Sequence, residues 1–402
     1  MKPAPLSRLH LYLTFAAVVS VLFSVTASNV LIAAALVALV AAREPLRFPP
    51  VKLPLTLFFL LTLASIALSG HTLREGWPGI RKFYLFLVLL LVASALRKRA
   101  QIRALVIAIT SAAAVSSMWS FVQFARKLGE ATAKGVDFRT YYTGGERITG
   151  FMSHWMTLSG EQMMVLVFLT AMLLFQRWSW PLGAAGVVIA VSLVLGYTRS
   201  MWAGTALGLG YLVWLRDKRW LVAAPAAVAL LLLVNPAGLG DRLRSVYRPA
   251  GDLDSNRFRV ICRQTGVAMI RAHPWFGLGP EQVRAQFRDY IPADVARPLP
   301  PGAYIHLHNV YLQYAAERGL PALAAFLWFL GKMLFDFARA PRKDWVIHGA
   351  IAVMIAILAA GWYEHNLGDG EILTLFLALC GCGEVVSHQS SAISTPAPVT
   401  DD

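Results

Sequence analysis

Apolar stretches of roughly 17 to 25 residues, each long enough as a helix to cross about 30 Å of hydrocarbon, recur along most of the chain. Inside a bilayer the backbone amides and carbonyls of such a stretch must find partners within the fold, which leaves helices and closed barrels as the only spanning structures. The runs are continuous rather than alternating, so a barrel of strands is excluded. Of the 402 residues 57% are hydrophobic and 15% charged, against about 25% charged in soluble chains. The expected fold is an all-α polytopic membrane protein. Twelve transmembrane helices are expected near residues 9–26, 28–42, 53–69, 78–96, 102–124, 157–176, 180–197, 200–215, 219–235, 320–338, 345–363 and 370–387. The first run follows Lys2 and Arg8, but a second span follows at once without a clear cleavage site, so it reads as an uncleaved helix.

The formal charge of +15 fits nucleic acid, anionic lipid or topology-setting loops, and its placement decides among them. Short basic loops carry Arg43, Arg47 and Lys52; Arg97, Lys98, Arg99 and Arg103; Arg177; Arg216, Lys218 and Arg219; and Arg339, Arg342 and Lys343. By the positive-inside rule these face the cytoplasm, with both termini. The 124–156 connection, the turn from Thr198 to Ser200 and the long 236–319 segment then face outward. The expected division is nine spans in 1–235, a large outer loop with short helices in 236–319, three spans in 320–387, and a disordered cytoplasmic tail in 388–402. The location of the cationic segment excludes nucleic acid as a partner. Cys262, Cys380 and Cys382 have no metal or redox spacing and read as packing residues.

The outer segment concentrates polar residues in a chain that elsewhere avoids them. Asp254 or Ser255 caps a predicted helix ending at about Ala272, before His273-Pro274. Phe258, Ile261, Cys262, Thr265 and Met269 share one face, which suits a helix lying at the membrane surface, while Arg259 and Arg263 lie one turn apart on another. Gly277, Gly279 and Pro280 make a turn into a second short helix ending near Tyr290. Asn309 caps a helix from Val310 that ends or kinks at Gly319, before Pro321.

His306 and His308 point the same way in extended chain, beside a helix N-terminus that favours the neutral imidazole a general base requires. Arg199 stands where two apolar spans nearly touch, and a guanidinium so confined is a candidate for holding phosphate. Arg147 and His154 are candidates in a roomier loop. Arg242, Arg244 and Arg248 suit contact with the phosphates of membrane lipids. Asp252-Leu-Asp254 reads either as a helix cap and turn or as a D-x-D cation site. Glu161 and Gln162, and the group Glu364, His365, Asn366, Asp369 and Glu371, either line the cavity or, the preferred reading, are solvated polar positions at span ends.

Four stretches in order carry a resemblance: RITGFMSH at 147–154, TRSMWAG at 198–204, NRFRVICRQTGVAMIRAHPWFGLGP at 256–280 with its P-x-x-G-x-G, and HLHNVYLQYAAERG at 306–319 with its H-N-x-x-L-x-x-x-x-E-x-G. Together they resemble the O-antigen ligase and polymerase superfamily, and the ligases most of all. The resemblance implies a GT-C-like, metal-independent inverting glycosyltransferase of the bacterial inner membrane, working without cofactor at the periplasmic face. Its donor would be O-antigen polysaccharide on undecaprenyl diphosphate, and its acceptor the lipid A-core oligosaccharide. Arg199 and Arg259 would hold the diphosphate and His308 would activate the acceptor hydroxyl, with His306, Arg263, Arg147 and His154 in support. Arg263 replaces a tryptophan frequent in the family, which leaves open which of Arg259 and Arg263 meets the phosphates; spacing to the proline favours Arg259. Three alternatives remain: a polymerase using the same donor, a protein-glycosylating relative, and an anion transporter. The transporter reading predicts ionisable groups near the bilayer midplane and broken helices.

Overall fold

The computed structural model describes residues 6–70, 73–176, 178–222, 240, 255–300, 304–340 and 344–394. Arg177, Arg242, Arg244, Arg248, Asp252 and Asp254, with most of the ninth expected span, lie outside them. In chain order the helices are α1 (Leu6–Ser20), α2 (Val25–Ala41), α3 (Lys52–Leu68), α4 (Leu73–Ile80), α5 (Leu87–Ala95), α6 (Arg99–Ala133), α7 (Phe138–Thr143), α8 (Trp155–Phe175), α9 (Trp180–Leu195) and α10 (Arg199–Asp217). Then follow α11 (Ser255–Ala272), α12 (Gln282–Gln286), α13 (Val310–Arg339), α14 (Trp345–Ala360) and α15 (Gly370–Ser394). A 3₁₀ segment, Arg81–Phe86, joins α4 to α5. Among the described residues five helices, at 73–95, 99–133, 155–175, 310–339 and 370–388, are long and apolar enough to cross a bilayer, and five more are apolar but shorter. The regular structure of the described residues is all helical, which fits a multi-pass membrane protein.

α14 is the axis of the bundle, packed against α8, α10 and α15. α13 lies along α3, and α5 along α15. The contact between α10 and α14 rests on two glycines four residues apart. A β-carbon on Gly204 would come within 2.5 Å of the Ala356 carbonyl oxygen, and one on Gly208 within 2.9 Å of that of Ala352. Small residues at this spacing let two backbones approach, and the pairing makes the helices antiparallel. The N-terminus of α10 is thereby set beside the C-terminus of α14.

α13 is broken at Gly319, whose φ of 83° and ψ of 166° belong to a region open essentially to glycine alone. The break is filled by the Gly277-Leu-Gly279 turn. The amides of Leu278 and Gly279 donate to the carbonyls of Ala316 and Glu317 at 2.8 and 2.9 Å, and Leu320 N donates to Pro274 O at 2.8 Å. A β-carbon on Gly319 would lie 2.0 Å from the Trp275 carbonyl oxygen, and one on Gly277 2.4 Å from the Glu317 carbonyl carbon. The two glycine motifs thus exist to pass each other.

Three expectations are corrected. The apolar face of α11 does not look towards lipid: Ile261, Cys262, Thr265 and Met269 are buried, and the cluster they join includes Leu307 and Ala316 from the α13 side. Glu161 and Gln162 are buried rather than solvated, with Gln162 Nε2 donating to Ser117 and Ser192 at 3.0 and 2.6 Å. α15 also stays helical to Ser394, into the stretch read as a disordered tail.

Gly319→Ala should destabilise the fold by about 1 to 3 kcal/mol through backbone conformation alone, with the Trp275 clash in addition. A lowered thermal midpoint of the detergent-solubilised protein checks this; an unchanged midpoint would contradict the interlock.

Candidate functional site

The α10–α14 crossing carries Arg199, the first residue of α10, to the turn that follows α14. The same turn is bound to the start of α13. Val310 N donates to Gly361 O at 2.9 Å, the Asn309 amide donates to Trp362 O at 3.0 Å, and the Tyr311 hydroxyl donates to Leu358 O at 2.7 Å. Asn309 caps α13 as expected, its side-chain oxygen accepting from Leu312 N at 2.9 Å. These bonds set His308 over Glu364.

Glu364 is 2% exposed. One of its oxygens pairs with the Arg259 guanidinium and the other lies 3.1 Å from His308 Nδ1, while Arg259 Nε donates to the Tyr363 carbonyl at 3.2 Å. Burial alone would push this carboxyl up, but Arg259 and His308 beside it bring it down to about 2. An ionised carboxylate only accepts, so Nδ1 of His308 carries a proton towards it, and a base acting through this ring would do so at Nε2. His308 itself adopts a left-handed backbone, φ 49°, uncommon for a residue with a side chain and held here by its neighbours. His306 Nδ1 accepts from His308 N at 3.3 Å, and the two rings are 4.2 Å apart. Burial, with His308 adding to it, lowers His306 to about 4, so its ring is neutral at neutral pH.

Arg199, Arg259 and His308 line one cavity of about 570 Å³ together with Arg263, Asn256 and Leu312. Arg199 also donates to the Asn256 side-chain oxygen at 2.8 Å. All three charged residues among the lining groups are arginines, which suits a multiply charged anion. A second cavity of about 400 Å³ lies on the other side of the histidine pair, lined by His154, His306 and Glu364 among others.

The remaining candidates are peripheral to the first cavity. His154 caps α8, with Nδ1 accepting from Met156 N at 3.2 Å, and faces the second cavity. Arg147 packs over the Trp155 ring at 5.0 Å and donates to Thr143 O at 3.3 Å; burial lowers it to about 10, so it keeps its charge. Of the two readings the sequence allows for the 364–371 group, solvated turn or cavity lining, the structure has Glu364, His365, Asn366 and Asp369 in the wall of the second cavity, with Glu364 buried. The available signal was a carboxylate and a histidine adjacent in a turn between two spans.

The break in α13 bears on the transporter alternative. Its freed carbonyls are taken by Leu278 and Gly279, and the Ser65 hydroxyl also donates to Glu317 O at 2.9 Å, so the break does not present open carbonyls to an ion.

Residues 184–327 match the family model described as O-Antigen ligase. The match takes in Arg199, Arg259, Arg263, His306 and His308, and stops short of Glu364. No curated protein matches the chain.

Stability should fall as the pH drops from 6.5 towards 4. His306, held near 4 when folded against 6.5 ordinarily, takes up its proton only on unfolding in that interval, a slope of up to about 1.4 kcal/mol per pH unit. Burial lowers His154 and His365 in the same sense. Glu364 acts in a different window: its contribution is present above 4.5 and is lost between 4.5 and about 2. Thermal midpoints between pH 7.5 and 4.5 should therefore drop less in His306→Gln than in wild type; equal slopes would refute the buried neutral ring.

Proposed function

We propose, from the match of residues 184–327 to the family model described as O-Antigen ligase, that the chain is an O-antigen ligase. In this reading it moves a glycan from undecaprenyl diphosphate to the lipid A-core oligosaccharide. The observation that carries the proposal is the single cavity holding Arg199, Arg259 and His308, with Glu364 joining two of them.

The acceptor hydroxyl gives its proton to His308 Nε2 as its oxygen attacks the anomeric carbon. The bond from that carbon to the diphosphate oxygen breaks, and the electron pair leaves with the diphosphate. Attack from the opposite face inverts the anomeric centre. Arg199 and Arg259 meet the departing charge, and Arg263, more exposed on the next turn of α11, extends the cationic wall. Glu364 cancels one of three guanidinium charges, so the cavity stays positive towards an anionic leaving group. Glu364 then stabilises the imidazolium as it forms, in addition to fixing the tautomer. A lipid diphosphate is already a good leaving group, so no general acid is required on its side.

The rest of the reading is assigned with this function. The twelve-span, GT-C-like arrangement has membrane parts in 1–235 and 320–387, a periplasmic segment in 236–319 and a cytoplasmic tail from 388. The enzyme lies in the bacterial inner membrane with its site facing the periplasm, surrounded by membrane lipids. It works without metal or cofactor. The dominance of one large polar segment favours the ligase over the polymerase.

Reconstitution with purified lipid-linked donor and either lipid A-core or a second lipid-linked glycan tests the proposal: lipid A-core should become longer. Extension of the second donor instead would name a polymerase, and transfer to neither would end the proposal. His308→Ala should lose about 10²- to 10⁴-fold in rate, and Arg259→Ala or Arg199→Ala about 10²- to 10³-fold. Glu364→Gln, which keeps the shape but not the charge, should lose on the order of 10²-fold or more. Single-turnover rates measure each, and near-wild-type turnover in Glu364→Gln would remove the dyad from the mechanism. EDTA should leave the rate unchanged; inhibition would return Asp252 and Asp254 as ligands.

A further inference from the structure

The two cavities on either side of the histidine pair differ in the sign of their walls. The one holding Arg199, Arg259 and Arg263 has no carboxylate among its lining residues. The other is lined by both signs, with Lys82 and Arg318 facing Glu281, Glu317 and Asp369. An anion gains in the first and meets repulsion as well as attraction in the second. A hydroxyl both donates and accepts, so a ring bearing several of them suits a wall of mixed donors and acceptors.

Arg318 gives the second cavity the mark of a built site. It is 7% exposed, and its guanidinium stacks 4.4 Å from the Tyr314 ring centroid and 5.7 Å from that of Phe58. Its Nε and Nη1 have no hydrogen-bond partner among the described residues; the Glu317 carboxylate stands off at 3.5 Å from Nη1. That carboxylate is already engaged on its other oxygen, by Gln313 Nε2 at 2.7 Å and Glu281 N at 3.1 Å. Buried guanidinium donors left without acceptors are costly unless a ligand supplies them. Phe58, Phe83 and Tyr314 add flat apolar faces to the same cavity, of the kind that pack against the carbon face of a sugar ring.

We infer that this second cavity binds the acceptor as an uncharged, hydroxyl-rich sugar, with Arg318 donating to its oxygens and Asp369 and Glu281 accepting from its hydroxyls. The inference rests on the transferase reading for the word acceptor, and it makes Arg318 a specificity-determining residue. The two substrates occupy separate chambers: His306 and Glu364 line the sugar side, while their neighbours His308 and Tyr363 line the diphosphate side. The rings of His306 and His308, one on each side, are 4.2 Å apart, which sets the distance the reacting hydroxyl has to bridge.

Isothermal titration of the detergent-solubilised full chain tests this with two probes: core oligosaccharide freed of lipid and phosphate, and pyrophosphate. Arg318→Gln should weaken oligosaccharide binding at least tenfold and leave pyrophosphate unchanged, whereas Arg259→Ala should do the reverse. Lys82→Gln, whose ammonium also donates to Gly368 O at 2.7 Å, gives a second variant should Arg318→Gln fail to fold, with a smaller loss in the same direction. Equal losses for both probes in Arg318→Gln, displacement of oligosaccharide by pyrophosphate, or no oligosaccharide binding by wild type would each overturn the inference. Absence of glycosyl transfer by a wild type whose oligosaccharide binding still maps to Arg318 would instead remove the transferase reading and leave the sugar site standing.

Discussion

A carboxylate that is 2% exposed does not stay ionised alone, since taking it out of water costs several kcal/mol. Glu364 stays ionised because Arg259 and His308 lie against its two oxygens. Those partners come from different parts of the chain, the helix Ser255–Ala272 and the strap before Val310. One buried charge therefore fixes three elements to one another. Truncating Arg259 would leave the buried carboxylate without its counter-charge, which is worse than never having had the pair.

The surrounding packing makes that meeting possible. The close approach of Gly204 and Gly208 to α14 delivers Arg199, and the Asn309 and Val310 contacts with the Gly361-Trp362 backbone deliver His308. The α11 face of Ile261, Cys262 and Met269 packs inward and points Arg259 at the turn. None of these contacts is itself chemical, yet each sets an angle or a distance that the candidate chemistry depends on.

Much of this was legible in the sequence. Eleven of the twelve expected spans coincide with described helices, the ninth falling mostly outside them. The cap at Asn309, the start of a helix at Ser255 and the break at Gly319 lie where local residue preferences place them. Arg199, Arg259 and His308 were singled out because charge is conspicuous in an apolar chain, and they line one cavity. The sequence leaves Glu364 between a solvated turn and a cavity wall because a polar turn between two spans looks the same whether it faces water or another element. Its partners are 105 and 56 residues away, and no local pattern reports a contact at that separation. The direction of the α11 face failed for a related reason: periodicity tells which side of a helix is apolar, and is silent on what covers it. Arg318 was hidden inside a helical signature whose glutamate and glycine drew the attention.

The interruption at Gly319 also sets where loosening can stop. A continuous helix transmits fraying along its ladder of backbone bonds, but here the ladder ends and the carbonyls of Ala316 and Glu317 are tied to a loop instead. Fraying of the half of α13 that follows the histidines is therefore not handed on through backbone bonds to the half that runs on to Arg339. Loss of helix on the histidine side can then leave the turns from Leu320 to Arg339 in place.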